Sequence, residues 1–103
     1  YPQLQSLVVS DSAADAYAAG IAVIEELGFE FVSRSRDDGK IEATASSRWF
    51  GFKDDVAIRI RTIEGNTVID IRSISRVGLS DLGANAARVE LMLEALRERL
   101  TEI

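Results

Sequence analysis

Charged and polar residues gather where the last predicted strand leads into the second predicted helix. The predicted strand pairing sets Asp55 opposite Arg76, and a short loop then leads to the helix. An anion could bind there to Lys53, Arg76 and the free N–H groups of the helix N-terminus. A hard cation could instead bind to the aspartates. The ordinary alternative is a structural corner of salt bridges beside a capped helix. The residues of this polar corner are Lys53, Asp54, Asp55, Arg76, Ser80, Asp81 and Asn85.

A second candidate is the segment that joins the two predicted hairpins. This aromatic loop, residues 47–52, could be a docking tip for a protein partner or a membrane surface. Large aromatic side chains are usually buried, which favours a lid over the open end of the core, with Gly51 permitting a turn. Its candidate binding residues are Arg48, Trp49, Phe50 and Phe52.

A third candidate is a charged face of the predicted sheet. Its charges could bind an acidic ligand. Alternating charges of this kind more often form a solvated surface, in which each cross-strand pair contributes roughly 0.2–1 kcal/mol. The residues are Arg34, Glu42, Arg59, Arg61, Asp70 and Arg72.

Catalytic chemistry finds little support in the composition. The sequence has no cysteine and no histidine, so it offers no disulfide, no thiolate ligand and no histidine base. No Ser-His or Cys-His pair can activate a nucleophile. We therefore predict no catalytic residue, metal site or cofactor, and favour a non-enzymatic function.

The charge balance and hydropathy restrict the partners. Twelve basic residues against seventeen acidic ones give a net charge of −5, which disfavours nucleic acid. No apolar run approaches the roughly 20 residues needed to cross a bilayer.

The chain starts at Tyr1-Pro2 without methionine, which suggests a single domain, residues 1–103, excised from a longer protein.

Periodicity and turn residues predict seven elements. Ser12 with Asp15 resembles a capping box, and Gly28 is a natural helix stop. Gly20 on the apolar stripe of the first helix predicts a close approach to the sheet. Leucines at helical spacing, including Leu93 and Leu96, place the second helix on the core. The predicted strands are residues 4–9, 29–35, 40–46, 55–63 and 67–76, and the helices are residues 13–27 and 82–101.

Turn chemistry predicts the register of both hairpins. In the first, a three-residue loop ending at Gly39 sets Phe31 opposite Ala45 and Arg34 opposite Glu42. A two-residue turn is the less favoured alternative. In the second, Gly65-Asn66 suits a type II′ turn. That turn predicts the pairs Ile60–Ile71, Ile58–Ser73 and Val56–Ser75 on one face, and Arg61–Asp70, Arg59–Arg72, Ala57–Ile74 and Asp55–Arg76 on the other.

These elements predict a two-layer α+β fold. The order is β-α-β-β-β-β-α, with a mostly antiparallel five-stranded sheet and two helices on one face. Each helix has one apolar stripe and the sheet has one apolar face, so two layers bury all of them. The charged face of the sheet is then left to solvent.

Five stretches together span nearly the whole chain: Tyr1-Pro2 and residues 41–44, 49–56, 70–78 and 80–85. The most specific are the Phe-Lys-Asp-Asp run at residues 52–55 and the Ser-Arg-x-Gly-x-Ser-Asp run at residues 75–81. In these stretches the sequence resembles the bacterial and plastid family of domain of unknown function 1499. The resemblance implies no activity and no catalytic residues. Because many members are attached to a hydrophobic N-terminal segment or a lipoprotein signal, it implies a domain tethered to a membrane at the periplasmic face.

The resulting hypothesis is a non-enzymatic interaction or accessory domain of a membrane-associated protein or assembly. Its partner would be another protein or the parent membrane protein, and its contact surface the aromatic loop and the polar corner. The alternative is a small anion- or ligand-binding module at the start of the second helix. The sequence leaves the oligomeric state open.

Overall fold

Seven elements succeed one another in the predicted order. The computed structural model describes residues 4–46, 53–76 and 82–103. This order confirms the α+β class, and all four strand pairings in the described residues are antiparallel. The elements are β1 (Leu4–Val9), α1 (Ala13–Glu26), β2 (Glu30–Ser35), β3 (Lys40–Ser46), β4 (Lys53–Ile63), β5 (Asn66–Ser75) and α2 (Leu82–Arg99).

The sheet has the strand order β1-β5-β4-β3-β2, so the first strand lies beside the last. Both helices contribute buried residues to one apolar core with the sheet, as predicted. Strands supply alternate residues to this core because successive side chains point to opposite faces. The largest fully buried side chains are Leu7, Ile24, Ile41, Ile58, Ile69, Ile71, Met92, Leu93 and Leu96.

The first helix begins and ends at the predicted signals. The Oγ of Ser12 accepts a hydrogen bond from the N–H of Asp15 at 3.1 Å, which satisfies a free donor of the first turn. Gly28 comes just after the helix with a φ of 74°, a conformation that favours glycine. At Gly20 a Cβ would lie 2.9 Å from Cδ1 of Ile41, so the close approach to the sheet is confirmed.

The register between β4 and β5 differs from the prediction by two residues. The turn is Glu64-Gly65, and its φ values of 51° and 83° are typical of type I′ rather than type II′. Ile58 therefore lies opposite Ile71, and Ile60 opposite Ile69. Two isoleucine pairs in the core offset the strain of roughly 1–3 kcal/mol at Glu64. A shift of two leaves every side chain on its predicted face.

The predicted register between β2 and β3 is also wrong. Four residues, 36–39, join the strands, and the pairing shifts by one between Phe31 and Ser33. Ser33 consequently lies opposite Glu42, and Arg34 lies opposite the buried Ile41. A β-bulge adds one residue to a strand and reverses the facing of the residues beyond it. Arg34 thus leaves the charged face and stacks on the ring of Phe31, 4.3 Å from its centroid.

Gly39 holds the β2–β3 loop against β4, which makes it sensitive to substitution. Its φ is 64°, and a Cβ would lie 2.5 Å from the carbonyl oxygen of Ile60. Gly39→Ala should destabilise the fold by about 1–3 kcal/mol more than Gly28→Ala, because a Cβ at Gly28 (φ 74°) meets no atom within 4 Å. Urea unfolding measures both. Equal losses would mean that the loop moves away from β4 freely.

Leu93 tests the predicted stripe of α2. Its side chain is fully buried in the core, whereas Leu91 on the same helix is 49% exposed. Leu93→Ala should lower the free energy of unfolding by roughly 2–5 kcal/mol, and Leu91→Ala should change it by less than about 1 kcal/mol. Similar losses for the two variants in urea unfolding would contradict this placement of α2.

Candidate functional site

The structure divides the predicted polar corner between the two faces of the sheet. Asp54 and Asp55 are consecutive on β4, so their side chains point to opposite faces. They do not converge on one cation, and the described residues contain no cluster of carboxylates suited to a metal ion. Ser80 and Asp81 lie outside the described residues.

On the helix side, five residues form what we call the inner cluster: Asp54, Ser73, Ser75, Asn85 and Arg88. The Nη1 of Arg88 lies 2.7 Å from Oδ2 of Asp54 and donates to Ser73 and Asn85, each at 3.1 Å. Ser73 donates to Oδ1 of Asn85 at 2.6 Å, and Nδ2 of Asn85 donates to Oγ of Ser75 at 2.8 Å. The cluster therefore links α2 to both β4 and β5.

The inner cluster is built to hold α2 rather than to bind a ligand. Asn85 is 1% exposed, and the side chains of Asp54 and Arg88 are 13% and 16% exposed. A buried charge is tolerated when it is paired and hydrogen-bonded, and here each polar side chain has a partner within the cluster. Ser73 and Asn85 are buried, so a molecule in solution has little access to the centre of the cluster.

Arg88 is a site residue that the sequence interpretation missed. Asp54 shares the strand parity of Val56 and Ile58, which are buried. That parity turns its carboxylate inward, where it needs a cation. Asn85 occupies the buried stripe of α2, and Arg88 comes three residues later, on the same side of the helix. Strand parity and helical spacing together could have predicted the pair.

On the opposite side of the sheet, Arg76 and Asp55 are in contact, as predicted. The Nε of Arg76 lies 2.8 Å from Oδ1 of Asp55, and Nη2 donates to Oγ1 of Thr44 at 3.1 Å. The residue directly opposite Asp55 is Ile74, however, so the ion pair is diagonal. Lys53 lies on the same face and is exposed, and it forms no ion pair within the described ranges.

The remaining predicted candidates lie outside the residues that the structure describes. These are Arg48, Trp49, Phe50 and Phe52 of the aromatic loop, which joins β3 to β4. Their part in docking stays a prediction.

The face of the sheet opposite the helices, here called the open face, carries most of the predicted charged set. Strand register arranges its side chains in rows that run across the sheet. Arg72 lies between Leu4 and Ala57 in one row, and Asp70 lies between Ser6 and Arg59 in the next. The second row continues from Arg59 to Lys40. The side chains around a shallow depression here include Leu4, Ser6, Lys40, Glu42, Ala57, Arg59, Arg61, Asp70 and Arg72.

The open face differs in charge from the rest of the protein. Among the described residues, strand alternation and register place six basic and four acidic side chains on it, a formal charge of +2. The other described residues, five basic and twelve acidic, give −7. The face comprises Lys40, Lys53, Arg59, Arg61, Arg72 and Arg76 with Glu30, Glu42, Asp55 and Asp70.

Only part of this charge is neutralised within the face. Arg61 pairs with Asp70 at 2.9 Å, as predicted, although Val68 is the residue directly opposite Arg61. Asp70 also accepts a hydrogen bond from Ser6. No ion pair within residues 4–46, 53–76 and 82–103 involves Lys40, Arg59 or Arg72. These three cations, the basic triad, are therefore available to an anion.

A family model described as a protein of unknown function, DUF1499, matches residues 1–96. The chain belongs to this family. The match confirms the resemblance found in the sequence and assigns no activity. No curated protein matches the chain.

Two solved structures of similar shape support the fold alone. One is TTHA0849 from Thermus thermophilus, with a TM-score of 0.53 and 9% identity over 93% of this chain and 94% of that one. The other is Ara h 8.0201, with a TM-score of 0.50 and 13% identity over 92% of this chain and 93% of that one. At such identities the shared shape does not extend to ligands.

Two arginines, Arg88 of the inner cluster and Arg76 of the predicted polar corner, make a matched test of the structural role of the inner cluster. Arg88→Ala leaves a largely buried Asp54 without its cation and should cost about 3 kcal/mol. Arg76→Ala removes an ion pair whose side chains are 46% and 57% exposed, which should cost less than about 1 kcal/mol. Urea unfolding compares the two. A larger loss for Arg76→Ala would mean that the inner cluster does not anchor α2.

Proposed function

We propose that this domain is a non-enzymatic interaction module that binds a protein partner through the open face. The observation that carries the proposal is a five-stranded sheet face that neither α1 nor α2 covers, with large apolar side chains exposed among its charges. Antiparallel sheets often leave one face to water, but such a face is usually polar. Here Val32 is 62%, Leu4 59% and Ile74 42% exposed, and exposed apolar groups rimmed by polar ones are typical of binding surfaces.

The position of the helices supports the same proposal. Both helices pack on the other face, and the inner cluster anchors α2 there through Arg88 and Asn85. The open face is therefore displayed on a rigid layer, and a rigid surface loses little conformational entropy on binding. The aromatic loop, which leads into β4, would extend this surface if it also docks.

The membrane setting is proposed on the family resemblance alone. We expect an accessory domain of a bacterial membrane-associated assembly, tethered at the periplasmic side through the parent protein. Among the described residues, no helix is long and apolar enough to cross a bilayer. A tether outside this domain would leave the open face available to a neighbouring protein.

An anion-binding corner at the start of α2 remains the alternative. Its support is weaker, because Arg76 is paired with Asp55, and Arg88 pairs with Asp54 beneath it. Lys53 is the remaining exposed cation there among the described residues, and a single flexible lysine makes a poor selective site.

Site-specific photo-crosslinking in cells tests the proposed surface. A benzoylphenylalanine residue at Val32 or Ile74 of the full-length parent protein should give a discrete crosslinked product, because both side chains are exposed on the open face. The same residue at Leu91, exposed on α2, is the control and should give little. Crosslinking that is strongest from Leu91, or absent from both open-face positions, would overturn the proposal.

A further inference from the structure

We propose that the partner of the open face is an acidic polypeptide, whose carboxylates pair with the basic triad of Lys40, Arg59 and Arg72. This inference rests on the proposed function and gives the chemistry of the partner. Strand register, the charge of the face and the apolar neighbours of the triad support it.

A repulsion within the sheet favours an incoming anion. Lys40 on β3 lies directly opposite Arg59 on β4, and like charges in that position destabilise a sheet. The acidic neighbour of Arg59 across β5 is Asp70, which already binds Arg61 and Ser6. A carboxylate that enters between Lys40 and Arg59 would remove the repulsion. Binding of this anion would therefore also stabilise the sheet locally.

The surroundings of Arg72 favour an anion that also carries apolar groups. Its neighbours on the open face are Leu4 on one side and Ala57 on the other. Arg72 is exposed, and the two parallel N–H groups of its guanidinium match a carboxylate. Leu4 and Ala57 offer apolar contact area beside the charge. A partner that carries both carboxylates and apolar side chains would satisfy Arg72 and its surroundings together.

The charge contrast between the open face and the rest of the chain would orient an acidic partner. Among the described residues, a face of +2 on a protein whose remaining surface carries −7 attracts an anion to one side and repels it from the others. Complementary charge of this kind mainly sets orientation and the rate of association. An acidic partner would therefore be guided to the triad.

The carboxylates within the face favour a polypeptide over a lipid surface or a nucleic acid. Glu42 lies beside Ala57 in the row of Arg72, and Glu30 lies at the edge on β2. A continuous layer of phosphates would meet these acids as well as the triad. A polypeptide can place an apolar or basic residue against Glu42 and a carboxylate against Arg72, since its side chains differ from one position to the next.

The test uses a random copolymer of glutamate and tyrosine as the probe, with heteronuclear NMR and calorimetry on the domain. We expect binding that weakens with salt, with chemical-shift changes centred on the triad. Arg59→Gln with Arg72→Gln should weaken binding roughly tenfold or more. The matched control, Arg97→Gln with Arg99→Gln, removes the same charge from α2, where both arginines form exposed ion pairs, and should change affinity less than about twofold.

Several results would overturn the inference. These are no binding of the copolymer, an equal loss in both double variants, or binding that prefers phosphatidylglycerol vesicles or duplex DNA over the copolymer. Crosslinks from Ile74 that persist unchanged in the Arg59→Gln, Arg72→Gln parent protein would also overturn it, while leaving the interaction module in place. If the parent protein with Arg59 and Arg72 intact gave no crosslinks from Val32 or Ile74, the proposed function itself would be wrong.

Discussion

Successive side chains of β4 point to opposite faces of the sheet, and this alternation determines what each face can do. Asp54 turns toward α2, where Arg88 neutralises it, and Asp55 turns away and pairs with Arg76. The face that carries Asp54 also carries Val56, Ile58 and Ile60, which are buried in the core. The face that carries Asp55 also carries Ala57 and Arg59. Adjacent residues in one strand thereby build an anchored inner layer and a charged outer surface.

The two surfaces depend on each other through the position of α2. The core and the inner cluster hold α2 against β4 and β5, so α2 is not free to cover the open face. Cross-strand register sets cations of the open face side by side, as with Lys40 opposite Arg59. A bound anion would reduce the repulsion between them, and this links the fold to the proposed function.

Parity could be predicted from the sequence, whereas register could not. Alternation placed Arg59, Arg61 and Arg72 on one face correctly because a shift of two residues does not change facing. The observed turn requires a positive φ at Glu64. Isoleucine pairing in the core favours this conformation, whereas the local backbone propensity of glutamate does not. The bulge that moves Arg34 off the charged face left no signal in the residue types. Arg88 can be predicted only through the inward parity of Asp54, because the polar residues at the start of α2 do not point to it.

The positively charged face of this otherwise acidic protein can be measured directly through the electrostatic potential at single residues. Paramagnetic relaxation of protein protons by small nitroxide cosolutes, one anionic and one cationic, reports the local potential. We expect stronger relaxation by the anionic cosolute at Ala57, Arg59 and Arg72, and stronger relaxation by the cationic cosolute at Glu94 and Glu98 of α2. Stronger relaxation by the cationic cosolute at Arg59 and Arg72 would contradict it.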